Sequence, residues 1–129
     1  MSKEIIETRS SKLWLDDDGI LRVLKKENCK ESLDDAKQNI TAIERLCGNN
    51  EHVALVDMTN LRDQDRAAIE YYTNTSTSAK CTACAILYKT VLSGSIALSN
   101  IYLGEKEVQL RIFTIEEEAI RWLKNQMGK

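Results

Sequence analysis

The chain has 129 residues, 43% of them hydrophobic and 29% charged, which is the size and make-up of a single domain, residues 1–129, built on one core. Eighteen basic against twenty acidic side chains leave a formal charge of -2, and that balance argues against a nucleic-acid binder, which needs a concentrated positive face. No apolar run nears the roughly 18 residues of a membrane span, and Met1-Ser2-Lys3-Glu4 does not open a signal peptide, so a cytoplasmic protein is expected.

In chain order the first signal is a hairpin. Lys12-Leu13-Trp14-Leu15 and Ile20-Leu21-Arg22-Val23-Leu24 flank Asp16-Asp17-Asp18-Gly19, and Asp-Gly tolerates the positive φ of a tight hairpin turn. Ser32 then predicts a helix N-cap, with Asp35 reaching back from the third position. Leu33, Ala36, Ile40, Ile43 and Cys47 recur at helical spacing, Asp34, Lys37, Gln38, Thr41 and Glu44 face water, and Gly48 follows as a C-cap. Val53-Ala54-Leu55-Val56 reads as a buried parallel strand that ends at Asp57. A second helix opens at Asp63 or Asp65 and carries Ala67, Ala68, Tyr71 and Tyr72.

Residues 82–88 predict the next strand. The segment 96–103 (Ile-Ala-Leu-Ser-Asn-Ile-Tyr-Leu) predicts a helix that is apolar on nearly every side and stops at Gly104. A last strand over 108–113 leads to Thr114-Ile115-Glu116-Glu117, read as a capping box, and to a helix burying Ala119, Trp122, Leu123 and Met127. With no proline and five glycines, the chain shows no linker or repeat. Strands alternating with helices imply an α/β fold: a mainly parallel sheet of about five strands, an N-terminal antiparallel hairpin and four helices.

This order of elements resembles a known family. A charged N-terminal strand, the Trp14-Leu15-Asp16-Asp17-Asp18-Gly19 hairpin, four βα units, Leu55-Val56-Asp57 before a loop, and the stretch from Phe113 to Leu123 are similar to small bacterial STAS/SEC14-type domains with a SpoIIAA-like fold. The resemblance spans essentially the whole chain. It implies a βα superhelix and a non-enzymatic role. Anti-anti-sigma members bind a partner kinase and are switched by phosphorylation of a Ser or Thr where the second helix begins. That start falls here at Asp65-Arg66-Ala67, which has no hydroxyl. SEC14-like relatives bind lipids in an apolar cavity.

Several chemistries are demoted by residue type and spacing. Cys81-Thr82-Ala83-Cys84 has CxxC spacing, but it opens a strand rather than a helix, and positions i and i+3 of a strand point to opposite faces. Cys29, Cys47, Cys81, Cys84 and His52 contain one close pair, against the two knuckles of a structural zinc site. Three contiguous aspartates at a turn cannot converge as calcium ligands do. His52, the sole histidine, precedes a strand at the sheet edge opposite the usual ligand crevice and reads as a surface residue. Met58-Thr59-Asn60-Leu61 replaces any glycine-rich phosphate loop. No metal and no cofactor are expected.

Two surfaces remain. Asp57, Thr59 and Asn60, Lys89 and Thr90, and Thr114 follow three strands at the carboxyl edge, where open α/β sheets bind ligands. The alternative is local: Asp57 and Asn60 satisfy loop amides, and Thr114 caps a helix. In the apolar segment, Leu98, Ile101 and Tyr102 are candidate contacts for a second subunit, because a helix apolar all round must be buried all round. The expected protein is a homodimeric, non-catalytic binding or regulatory module with an unknown protein partner; the alternative is a small carrier of a lipid or other apolar ligand.

Overall fold

Alternating side-chain directions and short turns build one sheet with helices on both faces. The computed structural model describes residues 4–27, 29–75, 80–90 and 109–128. Its elements are β1 (Ile5–Glu7), β2 (Ser11–Leu15), β3 (Leu21–Lys25), β4 (Lys30–Glu31), α1 (Leu33–Cys47), β5 (His52–Asp57), β6 (Asp63–Gln64), α2 (Arg66–Thr75), β7 (Cys81–Leu87), β8 (Gln109–Phe113) and α3 (Glu116–Met127). The main sheet has the order β1-β2-β3-β5-β7-β8. The β1-β2 and β2-β3 pairs are antiparallel and the rest are parallel. β4 and β6 form a separate two-stranded parallel ribbon.

The fold class is therefore the expected one, with different counts. The main sheet has six strands where about five were expected, because Ile5 and Ile6 pair with Trp14 and Leu13, a register that no local signal in so short a segment specifies. Three helices lie among the described residues. The apolar helix expected over 96–103, with Leu98, Ile101 and Tyr102, lies outside them. No helix among the described residues is long and apolar enough to cross a membrane.

Residues two apart in a strand share a face, so the sheet carries two cores. Leu13, Leu21, Val23 and Ala54 meet Ala42 and Cys47 of α1 on one face. Val53, Leu55, Ala83, Ala85 and Leu87, together with Ile20, meet Ala119 and Leu123 of α3 on the other. α2 packs beside α1.

The hairpin turn and the first helix form much as expected. Asp16 Oδ1 accepts hydrogen bonds from the Asp18 and Ile20 amides, each at 2.9 Å, and Gly19 takes φ +84°. The Ser32 hydroxyl accepts from the Asp35 amide at 3.3 Å, and the Asp35 carboxylate accepts from the Ser32 amide at 2.9 Å, which completes the capping box. Gly48 closes α1 at φ +60°, its amide donating to the Glu44 carbonyl.

Five expectations need correction, the first being Met127, which is exposed at the end of α3 rather than buried. The buried side of α1 is Asp35, Ala36, Asn39, Ala42 and Cys47, a stripe rotated towards polar residues, and Ile40 and Ile43 are only half-buried. The N-cap of α3 is Ile115, in extended backbone (φ -124°, ψ 121°) with no side-chain cap bond; Thr114 is exposed, and the acidic first turn Glu116-Glu117-Glu118 supplies the charge that favours a helix start. Cys81 lies opposite His52 and Ala83 opposite Val53, so Thr82 is an extra residue in a bulge. The bulge shifts the alternation, and Cys81 and Cys84 both pack on the α1-side core rather than on opposite faces. His52 opens β5 beside that bulge and is buried, not on the surface.

Candidate functional site

The carboxyl edge is where the parallel strands β3, β5, β7 and β8 all end. Backbone bonds from Met58 to Leu87 and from Tyr88 to Phe113, at 2.9 and 3.0 Å, hold three of those ends side by side. The six expected edge residues lie there, in three loops. Asp57 Oδ1 accepts from the Thr59 amide at 2.9 Å and the Thr59 hydroxyl at 2.6 Å, so this pair closes its own turn. Asn60, Lys89, Thr90 and Thr114 are exposed.

Beneath the same edge, on the α1 side, lies a polar cluster that sequence reasoning missed. Leu21 and Val23 point into the core, and the next residue in that alternation is Lys25, with 3% exposure. Its Nζ donates to Glu31 Oε2 at 2.7 Å and to the Tyr72 hydroxyl at 3.1 Å, and lies 4.8 Å from the Tyr72 ring centre. Glu31, fully buried, also accepts from Ser10 at 2.9 Å and Asn39 at 3.0 Å on Oε2, and from Gln64 at 2.7 Å on Oε1. The Asn39 amide further donates to the Tyr72 hydroxyl at 2.8 Å. No buried side-chain nitrogen or oxygen among the described residues lacks a partner.

Around the cluster, Thr8 donates to Asn39 at 2.6 Å, and Arg9 makes a two-pronged bond to Asp35, its Nε at 2.8 Å from Oδ1 and its Nη2 on Oδ2. Arg9 lowers the Asp35 carboxyl to about 2. Burial lowers the Lys25 ammonium against the attraction of Glu31, and burial with the Glu31 charge raises the Tyr72 phenol. The readable signals were a lysine on the core side of a strand and Asp35 and Asn39 spaced one helical turn apart. Amphipathic reading sends such residues to solvent, so the signals pass unseen.

The opposite face of the sheet carries a shallow depression of about 140 Å³, lined by Trp14, Arg22, Leu24, Leu55, Asp57 and Glu116 among others. Arg22 donates to Glu116 at 3.0 Å and to Asp16 at 3.3 Å, with its guanidinium carbon 5.9 Å from the Trp14 ring centre. Ile5, opposite Trp14 across β1 and β2, is 59% exposed. Of the expected edge residues, Asp57 lines this depression.

The thiols and the histidine sit elsewhere. All four cysteines are free. Burial pushes Cys81 up to about 12 and Cys84 well above the ordinary thiol range, the reverse of what a redox CxxC needs. Burial lowers His52, with a smaller opposing effect from the Asn50 carbonyl 3.3 Å away, and His52 stands at the amino end of β5 while Asp57 ends it.

A family model described as a domain of unknown function (DUF7793) matches residues 13–127. The chain belongs to this family. The match begins within β2 and runs to the last residue of α3, so it contains both the buried cluster's Lys25, Glu31, Asn39 and Tyr72 and the residues of the depression. No curated protein matches the chain. Among solved structures, it is similar to an uncharacterized protein of the DUF3478 family from Shewanella loihica PV-4 with a SpoIIAA-like fold, at 17% identity and TM-score 0.58, covering 95% of this chain and 92% of that one. At that identity the likeness concerns the fold, which for this DUF7793 chain is SpoIIAA-like.

Proposed function

We propose that this DUF7793 domain is a non-catalytic, STAS-like binding or regulatory module that acts in the cytoplasm of a bacterium and forms a homodimer. The observation that carries the reading is the outer face of the β1–β3 meander. There Ile5 is largely exposed, and Trp14 and Leu24 border the depression beside it. Ile5, Trp14 and Leu24 share this face with Glu7, Lys12 and Arg22, and a mixed face centred on an aromatic ring beside an arginine has the make-up of an interaction surface.

The absence of catalysis is supported by what the reactive groups already do. Asp57 is bonded to Thr59. The Cys81 and Cys84 thiols are held in their weakly nucleophilic, protonated form by burial. His52 lies at the far end of its strand from Asp57. Among the described residues the depression of about 140 Å³ is smaller than the pocket of about 300 Å³ or more that an apolar carrier needs; the segment 96–103 on which the carrier alternative rests lies outside them.

Native mass spectra across a dilution series test the proposal. A mass twice 14.7 kDa without adduct is expected, and Trp14→Glu should give a folded monomer. A bare wild-type monomer overturns the dimer. A monomer bearing a few hundred daltons of extra mass, on the order of a small ligand, promotes the carrier.

A further inference from the structure

The buried cluster raises a question that stability alone does not answer. Replacing a buried ion pair by well-packed apolar residues is often neutral or stabilising, yet Lys25 occupies the position after Leu21 and Val23 where such a residue would fit. Its partner does not come from the main sheet. Glu31 belongs to β4, which with β6 forms a ribbon of two residues per strand. Lys30 and Asp63 of that ribbon are exposed. Besides the β4–β6 pairing, the described bonds that hold it run from the Asp65 amide to the Glu31 carbonyl at 2.8 Å, from the Arg62 and Asp63 amides to the Cys29 carbonyl at 3.1 and 3.4 Å, and from Arg9 Nη2 to the Lys30 carbonyl at 2.8 Å. The ribbon is therefore a small strap that lays one carboxylate into a socket built by larger elements.

The socket is shaped for a carboxylate. Three donors from the body of the domain, Lys25 Nζ, Ser10 Oγ and Asn39 Nδ2, converge on one oxygen at 2.7, 2.9 and 3.0 Å, and Gln64 of the strap takes the other oxygen at 2.7 Å. A charged donor with neutral donors around one anionic oxygen is the pattern of tight carboxylate recognition. Lys25 is the one cation bonded to Glu31 in it, so it balances a single negative charge; the neighbouring Arg9 is bonded to Asp35. A dianion such as phosphate would leave net charge buried.

We propose that Lys25, Ser10 and Asn39 form a binding site for the carboxylate of a small organic acid, that Glu31 is its resident occupant in this conformation, and that an incoming acid displaces the β4–β6 strap. The site lies on the α1 side of the sheet, opposite the β1–β3 outer face, so it stands or falls separately from the dimer reading. Displacement couples the strap to the ligand because only one carboxylate fits the three donors at a time.

The test is a Glu31→Ala variant, which empties the socket and keeps its body donors. Titrating sodium formate or acetate against it, with sodium chloride at equal ionic strength as control, is expected to give a saturable rise in melting temperature. The rise should be roughly 4 °C at ten times the dissociation constant. A Lys25→Met/Glu31→Ala variant should show none. Formate and acetate acting no differently from chloride on folded Glu31→Ala overturns the site. A measurement on the wild-type chain covers the case in which that variant does not fold. The Asp65 amide, bonded to the Glu31 carbonyl, should exchange its hydrogen sooner than the amides of β5, and acetate should accelerate it. Exchange of Asp65 only together with β5 in global unfolding overturns displacement of the strap.

Discussion

The two faces of the sheet solve the same burial problem in opposite ways. Under α3 the core is apolar throughout: Val53, Leu55, Ala83, Ala85 and Leu87 meet Ala119 and Leu123, and Phe113 packs on Trp122 with ring centres 5.7 Å apart. Under α1 the apolar core of Leu13, Leu21, Val23 and Ala42 gives way, towards the carboxyl edge, to Lys25, Glu31, Asn39 and Ser10. The first face gains stability in proportion to area and tolerates local repacking. The second depends on every partner being present, since a buried charge left alone carries its full desolvation cost. The polar half thus holds less margin for error and more chemical specificity.

Breaking the polar side from one end should give the largest effect. Glu31→Ala leaves the Lys25 ammonium buried without its counter-charge, and a loss of about 4 kcal/mol is expected in urea denaturation. A loss under about 1 kcal/mol would show that Lys25 escapes the buried charge, by hydration or by giving up the proton that Glu31 helps it hold. On the apolar side, Leu123→Ala removes a fully buried side chain of α3 and should cost about 3 kcal/mol by the same measurement.

The Arg9–Asp35 pair gives a smaller, pH-dependent contribution. The Asp35 carboxyl is held near 2 against an ordinary 3.8, so its stabilisation is present above the unfolded value and disappears as pH falls towards 2. Arg9 is 60% exposed, so solvent screening keeps this contribution well below that of the buried pair. Comparing wild type with Asp35→Asn between pH 5 and 2 should show the gap closing; a constant gap would assign Asp35 to its capping bonds alone. Lys25→Met/Glu31→Leu removes both buried charges but also the acceptor of Ser10, Asn39 and Gln64. Its loss in urea denaturation should be smaller than that of Glu31→Ala, and an equal or larger loss would mean that the network organises α1 and α2 beyond its charge pair.

The contrast also explains which parts of the fold could be read in advance. The hairpin was legible because Asp-Gly fixes a local backbone conformation, and Gly19 indeed takes φ +84°. The capping box of α1 and the parallel strands β5 and β7 were legible for the same reason: each rests on residues within a few positions of one another. The α3 cap failed because Thr114 is compatible with capping, while the entry of the chain at Ile115 depends on where β8 leaves it. The CxxC geometry failed because the bulge at Thr82 arises in pairing with β5.

Sequence by itself determined the α/β class, the hairpin, the first helix with both of its ends, and the buried strands, because propensity, turn chemistry and periodicity act over a turn or two of chain. Tertiary structure decided that β1 joins the sheet, that Asp35 and Asn39 face inward, and that Lys25 meets Glu31, Tyr72 and Ser10. A charged or amide side chain prefers water unless partners from distant segments arrive together, and only the assembled fold brings residues 10, 25, 31, 39 and 72 to one point.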